Sequence, residues 1–448
     1  GTLYMPEGYV EDEIDEFVAI LNTSDETAEG EVKIYYQTGE SISFPVSFLP
    51  KQRTGFSMKD KGVEFDKRFS TIIETDQDIT ATLIHYDHGT ALGANFTPVT
   101  DRMWSIAGGG PLANNIRDFL TIFNPNAEQV EVELLIAGES SPLPKTFNLS
   151  IEKKRRYSFH VHEFVVEDEA RWQPYGLMLF ADAPVVTSLS HYDDGLKDGT
   201  LMIATPGTGA STGLLNTYGK PTGFVAEGWA NEQAFEYVHI LNPNEKFDIK
   251  VFLTVQYNDG ITDNKEIGPI TPYQQLPYKV SDHVRKNEGY MLQYKAVSDA
   301  DCTSNRSLPC SGTTVNAVVN FSHFDNAGLN GVEFKSQGFK HWEFAEGYRN
   351  PGRVQEYLLI YNPSNKDAEV TVTFYYDDGQ NPTVARLHVE TGKKSGLALH
   401  GDEPPLRDRD GGIWYGTMIH STEEIIPYFT HYDLEFGGSF ALVGNGRN

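Results

Sequence analysis

The chain has 448 residues, too many for a single hydrophobic core, so several domains are expected. Hydrophobic residues make up 39% and charged residues 22%, which excludes a disordered chain. A formal net charge of −27 argues against nucleic acid or an anionic membrane as partner, and suits solubility or divalent cations.

Two signatures recur four times in the same order, which marks an internal repeat. One is His85-Tyr86-Asp87, His191-Tyr192-Asp193, His323-Phe324-Asp325 and His431-Tyr432-Asp433. The other runs from an acid and an aromatic to an asparagine: Glu16-Phe17 to Asn22, Asp118-Phe119 to Asn124, Glu236-Tyr237 to Asn242 and Glu356-Tyr357 to Asn362. The expected domains are residues 1–107, 108–220, 221–341 and 342–448, each of ordinary domain size.

In the first repeat, Phe17–Leu21 reads as a strand, Val32, Ile34 and Tyr36 alternate through a second, and Ile42, Phe44, Val46 and Phe48 through a third. Gly55–Met58, Ser70–Ile73, Ile79–Tyr86 and Ala91–Phe96 complete the set. About seven short strands separated by frequent turn signals predict an immunoglobulin-like antiparallel β-sandwich. The second repeat follows the same order, with Val130, Val132 and Leu134 alternating against Glu131 and Glu133. Its basic run, Lys153–Arg156, is expected on a solvated strand edge. Glu163–Trp172 allows one short helix, and Thr205–Gly213 reads as a flexible linker.

In the third repeat Ile249, Val251, Leu253 and Val255 alternate and lead into Asn258-Asp259-Gly260. In the fourth, Val370, Val372 and Phe374 lead into Asp377-Asp378-Gly379. Asp-Gly between strands is a hairpin signal and predicts a type I′ turn, with positive φ at both central residues. The chain's two cysteines, Cys302 and Cys310, bracket a polar insertion in the third repeat and predict a disulfide and an oxidising compartment. No apolar run reaches the roughly 18 residues of a membrane-spanning helix. A start at Gly1 fits a mature product without its signal peptide, or a trimmed chain. The fold class expected is all-β, as four tandem sandwiches.

Side chains alternate along a strand, so His85 shares a face with Leu83 and Asp87, and Glu16 with Val18, Ile20 and Asn22. If the two strands run antiparallel, acid and imidazole meet at one rim of the core. The expected outcome is a structural clasp, since a buried polar group left unpaired costs about 1–3 kcal/mol. Asn at the strand end would satisfy the following turn. The alternative is a divalent-cation site once per repeat, from Glu16, His85 and Asp87; Asp118, His191 and Asp193; Glu236, His323 and Asp325; and Glu356, His431 and Asp433.

A third signature precedes the acid: Pro6-Glu7-Gly8-Tyr9, Ala226-Glu227-Gly228-Trp229 and Ala345-Glu346-Gly347-Tyr348, with Gly109-Gly110-Pro111 in the second repeat. A turn needing glycine is its ordinary explanation. Phe344-Ala-Glu-Gly-Tyr348 followed by Glu356-Tyr-Leu-Leu-Ile-Tyr-Asn-Pro363 resembles repeats of bacterial exported and surface proteins. The resemblance implies tandem sandwiches outside the cytoplasm, at the cell surface or in the periplasm, and carries no chemistry.

Zinc-protease, nucleophile-elbow and phosphate-loop motifs are missing from the sequence, and no enzyme or cofactor is expected. The function expected is a structural or assembly protein, partnered by its own copies or other surface proteins. The alternative is a module binding carbohydrate or a divalent cation, with Trp104, Trp172, Trp229, Trp342 and Trp414 as candidate rings for sugar stacking, although tryptophans more often lie in cores or between domains and two of these five sit at expected repeat junctions.

Overall fold

A computed structural model describes the whole chain except residues 88–89, 111–114, 140–144, 164–173, 208–217, 302, 304–307, 326–327, 404–405, 436 and 448. The described residues are all-β, in antiparallel sheets, with a few single-turn 3₁₀ segments. One pairing scheme occurs four times.

Its inner sheet has four strands. At the edge lies a strand carrying a conspicuous polar side chain: Gln52–Ser57, Arg155–His160, Gln275–Lys279 and Lys394–Ala398. Next comes the acid strand: Ile14–Asn22, Ile116–Asn124, Phe235–Leu241 and Val354–Tyr361. The His strand follows: Thr80–Asp87, the second half of Tyr175–Asp193, Val318–Asp325 and the second half of Ile413–Asp433. An axial strand ends the sheet: Thr90–Asn95, Asp198–Ile203, Gly328–Glu333 and Gly438–Val443. The outer sheet has four more strands, in the first repeat Thr2–Met5, Phe69–Thr75, Ala28–Tyr36 and Ser41–Phe48. In repeats two and four one long strand serves both sheets, as Tyr175–Asp193 and Ile413–Asp433. The strand Asp101–Gly109 straddles the expected boundary at 107/108 and pairs with Tyr175–Asp193; Phe339–Phe344 straddles 341/342 and pairs with Ile413–Asp433.

Alternation fills the space between the sheets. Val18, Ile20, Val32, Ile34 and Leu83 of the first repeat are fully buried, while Ser41, Ser43 and Ser47 face solvent. Hairpins form at Asn258–Gly260 and Asp377–Gly379, but only the glycines take positive φ, Gly260 at 83° and Gly379 at 68°, so Asp259 and Asp378 do not make the expected type I′ turn. Asn22, Asn124, Asn242 and Asn362 are each fully buried. Each donates from Nδ2 to at least two main-chain carbonyls and accepts through Oδ1 from the amide two residues on. That bonding closes the turn after the acid strand in every repeat.

The axial strands bring the repeats together. The first meets those of repeats two and four, and the third meets those of repeats two and four, so the repeats close into a ring. Thr90 Oγ1 donates to Lys197 O at 2.9 Å, and Asn95 Nδ2 to Val443 O at 2.6 Å. Close approach here needs small residues: a Cβ on Gly93 would lie 2.5 Å from the Phe440 ring, and one on Gly438 2.4 Å from Ala91 N.

One further sequence expectation fails. Arg156, placed on a solvated edge, is 2% exposed and contacts the first repeat. Trp104 and Trp342 take the core position expected more often of tryptophan, not the stacking alternative, each being 1% exposed. Each indole N–H is satisfied by main-chain carbonyls, those of Asp101 and Val185 for Trp104 and those of Phe339 and Ile425 for Trp342. The short helix over 163–172, most of the linker over 205–213, Trp172 and the pairing partner Cys302 lie outside the described residues.

Candidate functional site: the clasps and the clefts between repeats

In all four repeats the acid and the histidine are direct cross-strand partners: Glu16 with His85, Asp118 with His191, Glu236 with His323 and Glu356 with His431. The imidazole Nδ1 lies 2.9, 2.5, 2.8 and 2.7 Å from the carboxylate, in that order. The same carboxylate accepts the main-chain N–H of Tyr9, Gly110, Trp229 and Tyr348, at 2.7 to 2.9 Å. The acid therefore ties the Glu-Gly turn to the His strand. In repeats two and four a tyrosine hydroxyl also donates to it, Tyr175 to Asp118 and Tyr415 to Glu356.

Burial alone would drive these imidazoles towards neutrality. In the first repeat Asp87 and Glu16 reverse that and hold His85 up at about 10. In the third, Asp325 and Glu236 do the same for His323, also to about 10. His191 and His431 are raised against burial by Asp118 and Glu356. Burial pushes Glu16 and Glu236 up. Asp118 is held low, because His191 and Tyr175 outweigh its burial.

In repeats two, three and four the aspartate that ends the signature accepts from the turn beyond it. Asp193 Oδ1 accepts from Gly195 N, Asp325 Oδ1 from Gly328 N and Asp433 Oδ1 from Glu435 N. Asp87 stands 3.8 Å from His85 Nε2, and Asp325 stands 3.2 Å from His323 Nε2. Among the described residues no group of three or more His, Cys, Asp or Glu side chains is arranged to hold a metal ion.

The third signature turns out to face the neighbouring repeat. Glu7 Oε2 lies 3.4 Å from Arg156 Nη2 and accepts from Thr121 of the second repeat at 3.0 Å. Glu227 of repeat three accepts from Thr430 of repeat four at 2.8 Å, beside Lys394, whose Nζ donates to Ala226 O and Tyr290 O. Glu346 of repeat four pairs with Arg53 of repeat one at 2.8 Å, both essentially buried. Arg53, Arg156 and Lys394 occupy one equivalent position, opposite Leu21, Phe123 and Tyr361 of the acid strand.

The junction from repeat two to three lacks both charges. Gly108 stands where the glutamate would be and Gln275 where the cation would be. His239 fills the space, since a Cβ on Gly108 would lie 2.8 Å from its ring. Burial lowers His239 to about 4, so it is neutral, and its Nε2 pairs with Ser322 Oγ at 2.8 Å. Acid and cation are absent together, so neither is left as an uncompensated buried charge.

Between repeats one and two lies a cleft of about 550 Å³, lined among others by Glu7, His85, Arg117, Phe119 and Tyr192. The equivalent cleft between repeats three and four, about 600 Å³, is lined by Glu227, Trp229, His323, Tyr357, Lys394 and Tyr432 among others. At the junction of repeats two and three only about 30 Å³ remains beside His239. At the junction of repeats four and one, Trp414 stacks on Tyr348 and Phe17, with the Arg53 guanidinium 4.8 Å from its ring.

Sequence reasoning missed the cation position and the clefts. A trace existed, since glutamate is absent from the third signature in the repeat that precedes the one lacking the cation.

No protein-family model and no curated protein matches the chain. Among solved structures it is similar to Thermotoga maritima 1070, at 22% identity over 25% of this chain and 96% of that one, with a TM-score of 0.21. It is similar to Anabaena sensory rhodopsin transducer, at 27% identity over 20% of this chain and 92% of that one, with a TM-score of 0.17. It is also similar to a tetra-tandem repeat in the extending region of a large adhesion protein, at 12% identity over 95% of this chain and 92% of that one, with a TM-score of 0.12.

Proposed function

We propose that the chain is a non-catalytic binding module that takes small ligands in the clefts between its repeats. Each repeat is read as an immunoglobulin-like sandwich, and the module is assigned outside the cytoplasm, with Cys302 and Cys310 as its disulfide. The observation that carries the reading is the pair of clefts of about 550 and 600 Å³ at equivalent junctions, where the other two junctions are filled by side chains. Those volumes suit a ligand of mono- to disaccharide size, and the linings mix aromatic faces with a few charged groups, as ligand sites do. The clasps supply rigidity: Glu16 and Glu236 fix the turns carrying Tyr9 and Trp229, which line the two clefts.

Saturation-transfer NMR against a panel of saccharides, amino acids and nucleobases tests this. Binding that weakens on Tyr192→Ala or Trp229→Ala is the expected result. A panel without any binder refutes the proposal.

The assembly reading keeps one specific support. Ser41–Phe48, Lys145–Ile151, Thr262–Ile270 and Thr383–Val389 each end an outer sheet with an unpaired edge. Such edges can pair with a strand of another copy. Sedimentation that yields only monomer at every concentration would remove it.

A further inference from the structure

The four junctions are built on one plan, so what fills one of them bears on what fits another. At the junction of repeats four and one, Tyr348 follows the Glu-Gly turn and Phe17 follows the acid of the next repeat. Trp414 lies opposite Tyr348 in the sheet, and its indole stacks on Tyr348 at 4.1 Å and 27°. It stacks on Phe17 at 5.9 Å and 17°. A resident indole therefore bridges two repeats through two aromatic faces.

The equivalent residues at the other junctions are fixed by register. Tyr9 pairs with Arg68, and Trp229 pairs with Gly289. Arg68 reaches over Phe119, with its guanidinium 5.1 Å from the ring, so the first cleft is partly occupied by a cation. In the third-to-fourth cleft both aromatic walls are retained, as Trp229 and Tyr357, and the position of the resident indole is glycine. Trp229 is 43% exposed, a large apolar face left open to solvent. Lys394, Glu227 and Asn258 also line this cleft and can bond heteroatoms at a ring edge.

We infer that the cleft between repeats three and four binds a planar, bicyclic heteroaromatic ring stacked on Trp229 and Tyr357, in the place that the Trp414 side chain takes at the junction of repeats four and one. This rests on the binding-module reading and names its ligand class. Stacking on aromatic faces discriminates for flat rings, and edge groups then select heteroatoms. Gly289 is the specificity-determining position. A Cβ added there would lie 3.4 Å from both Asn258 Nδ2 and Lys394 Nζ, van der Waals contact with the ends of two side chains, and glycine leaves room for the ring.

The experiment measures binding of indole, adenine and methyl glucoside to the full chain by saturation-transfer NMR and calorimetry. Indole and adenine are expected to bind and methyl glucoside is not. Gly289→Trp, which supplies the ring from within, should reduce binding at least tenfold without lowering the melting temperature. Gly289→Ala should retain binding, and Trp229→Ala should lose it. Binding of methyl glucoside alone would overturn the inference and leave the binding-module reading standing. Planar rings that bind Gly289→Trp as well as the unaltered chain would also overturn it. Absence of every binder would overturn both.

Discussion

Asp198 gives the sharpest test of the ring. It opens the axial strand of repeat two, is 2% exposed, and touches the axial strands of repeats three and four. Its Oδ2 accepts from Leu329 N and, at 3.4 Å, from Ser439 Oγ, while Oδ1 is buried with no hydrogen-bond partner among the described residues. Burial pushes the carboxyl up to about 8, against the pull of the Leu329, Gly199 and Ser439 donors. An unfolded aspartate titrates near 3.9. Between those values the folded chain holds a proton that the unfolded chain has lost, so stability must fall as pH rises through that window. The slope from this one group is on the order of 1 kcal/mol per pH unit. Asp198→Asn keeps the acceptor for Leu329 and removes the titration. Urea unfolding of both proteins between about pH 5 and pH 9 isolates the effect, because other groups cancel in the difference. The asparagine variant should gain on the unaltered chain up to about pH 8, by several kcal/mol in all, then run parallel to it. A difference that stays constant with pH would show that Asp198 is charged and solvated, and that the axial strands do not enclose it.

Three further outcomes follow from the buried pairs. His85→Ala strands Glu16 in the core and should cost about 3–5 kcal/mol in urea unfolding. For the unaltered pair the sign is that of a raised histidine: its stabilisation is full below about 6.5 and is lost as pH rises towards about 10. Arg53→Met should cost about 3–5 kcal/mol, and adding Glu346→Met should recover most of it, which a double-mutant cycle will read as strong coupling. Gly108→Ala sets a Cβ against His239 at φ 90° and should cost about 2 kcal/mol in calorimetric unfolding, with part regained on His239→Ala.

The sequence made the clasps legible and the ring illegible, for one physical reason. Glu16 and His85 lie on neighbouring strands, where a period of two fixes the face and an antiparallel register fixes the partner. Repetition then multiplied the evidence by four. Arg156 could not be read in that way, because its partners Glu7 and Gly8 belong to another repeat, and no local pattern reports a contact at such separation. Its neighbours Lys153 and Lys154 made the run look solvated. Trp104 and Trp342 stand near repeat boundaries, and each lies within an outer strand whose inward face is core, the commoner of the two positions the sequence allowed them. The turns at Gly260 and Gly379 announced themselves, since positive φ is a local demand.

The differences between junctions bear on function because they are not random decay of one interface. A cation at position 275 without an acid at 108 would be stranded, and so would the acid without the cation; the chain has neither, and neutral His239 occupies the gap. At the junction of repeats four and one the ion pair is kept and buried further under Trp414. Two junctions are thus packed solid, each by an aromatic side chain, and they alternate around the ring with two that stay open. A chain needing only to hold four sandwiches together gains stability from filling every gap, since unfilled space forfeits packing contacts. Leaving clefts of about 550 and 600 Å³ lined by Tyr192, Trp229 and Tyr357 costs that stability. Two sealed junctions hold the walls of the open ones at a fixed separation, which is the preorganisation a rigid ligand site requires.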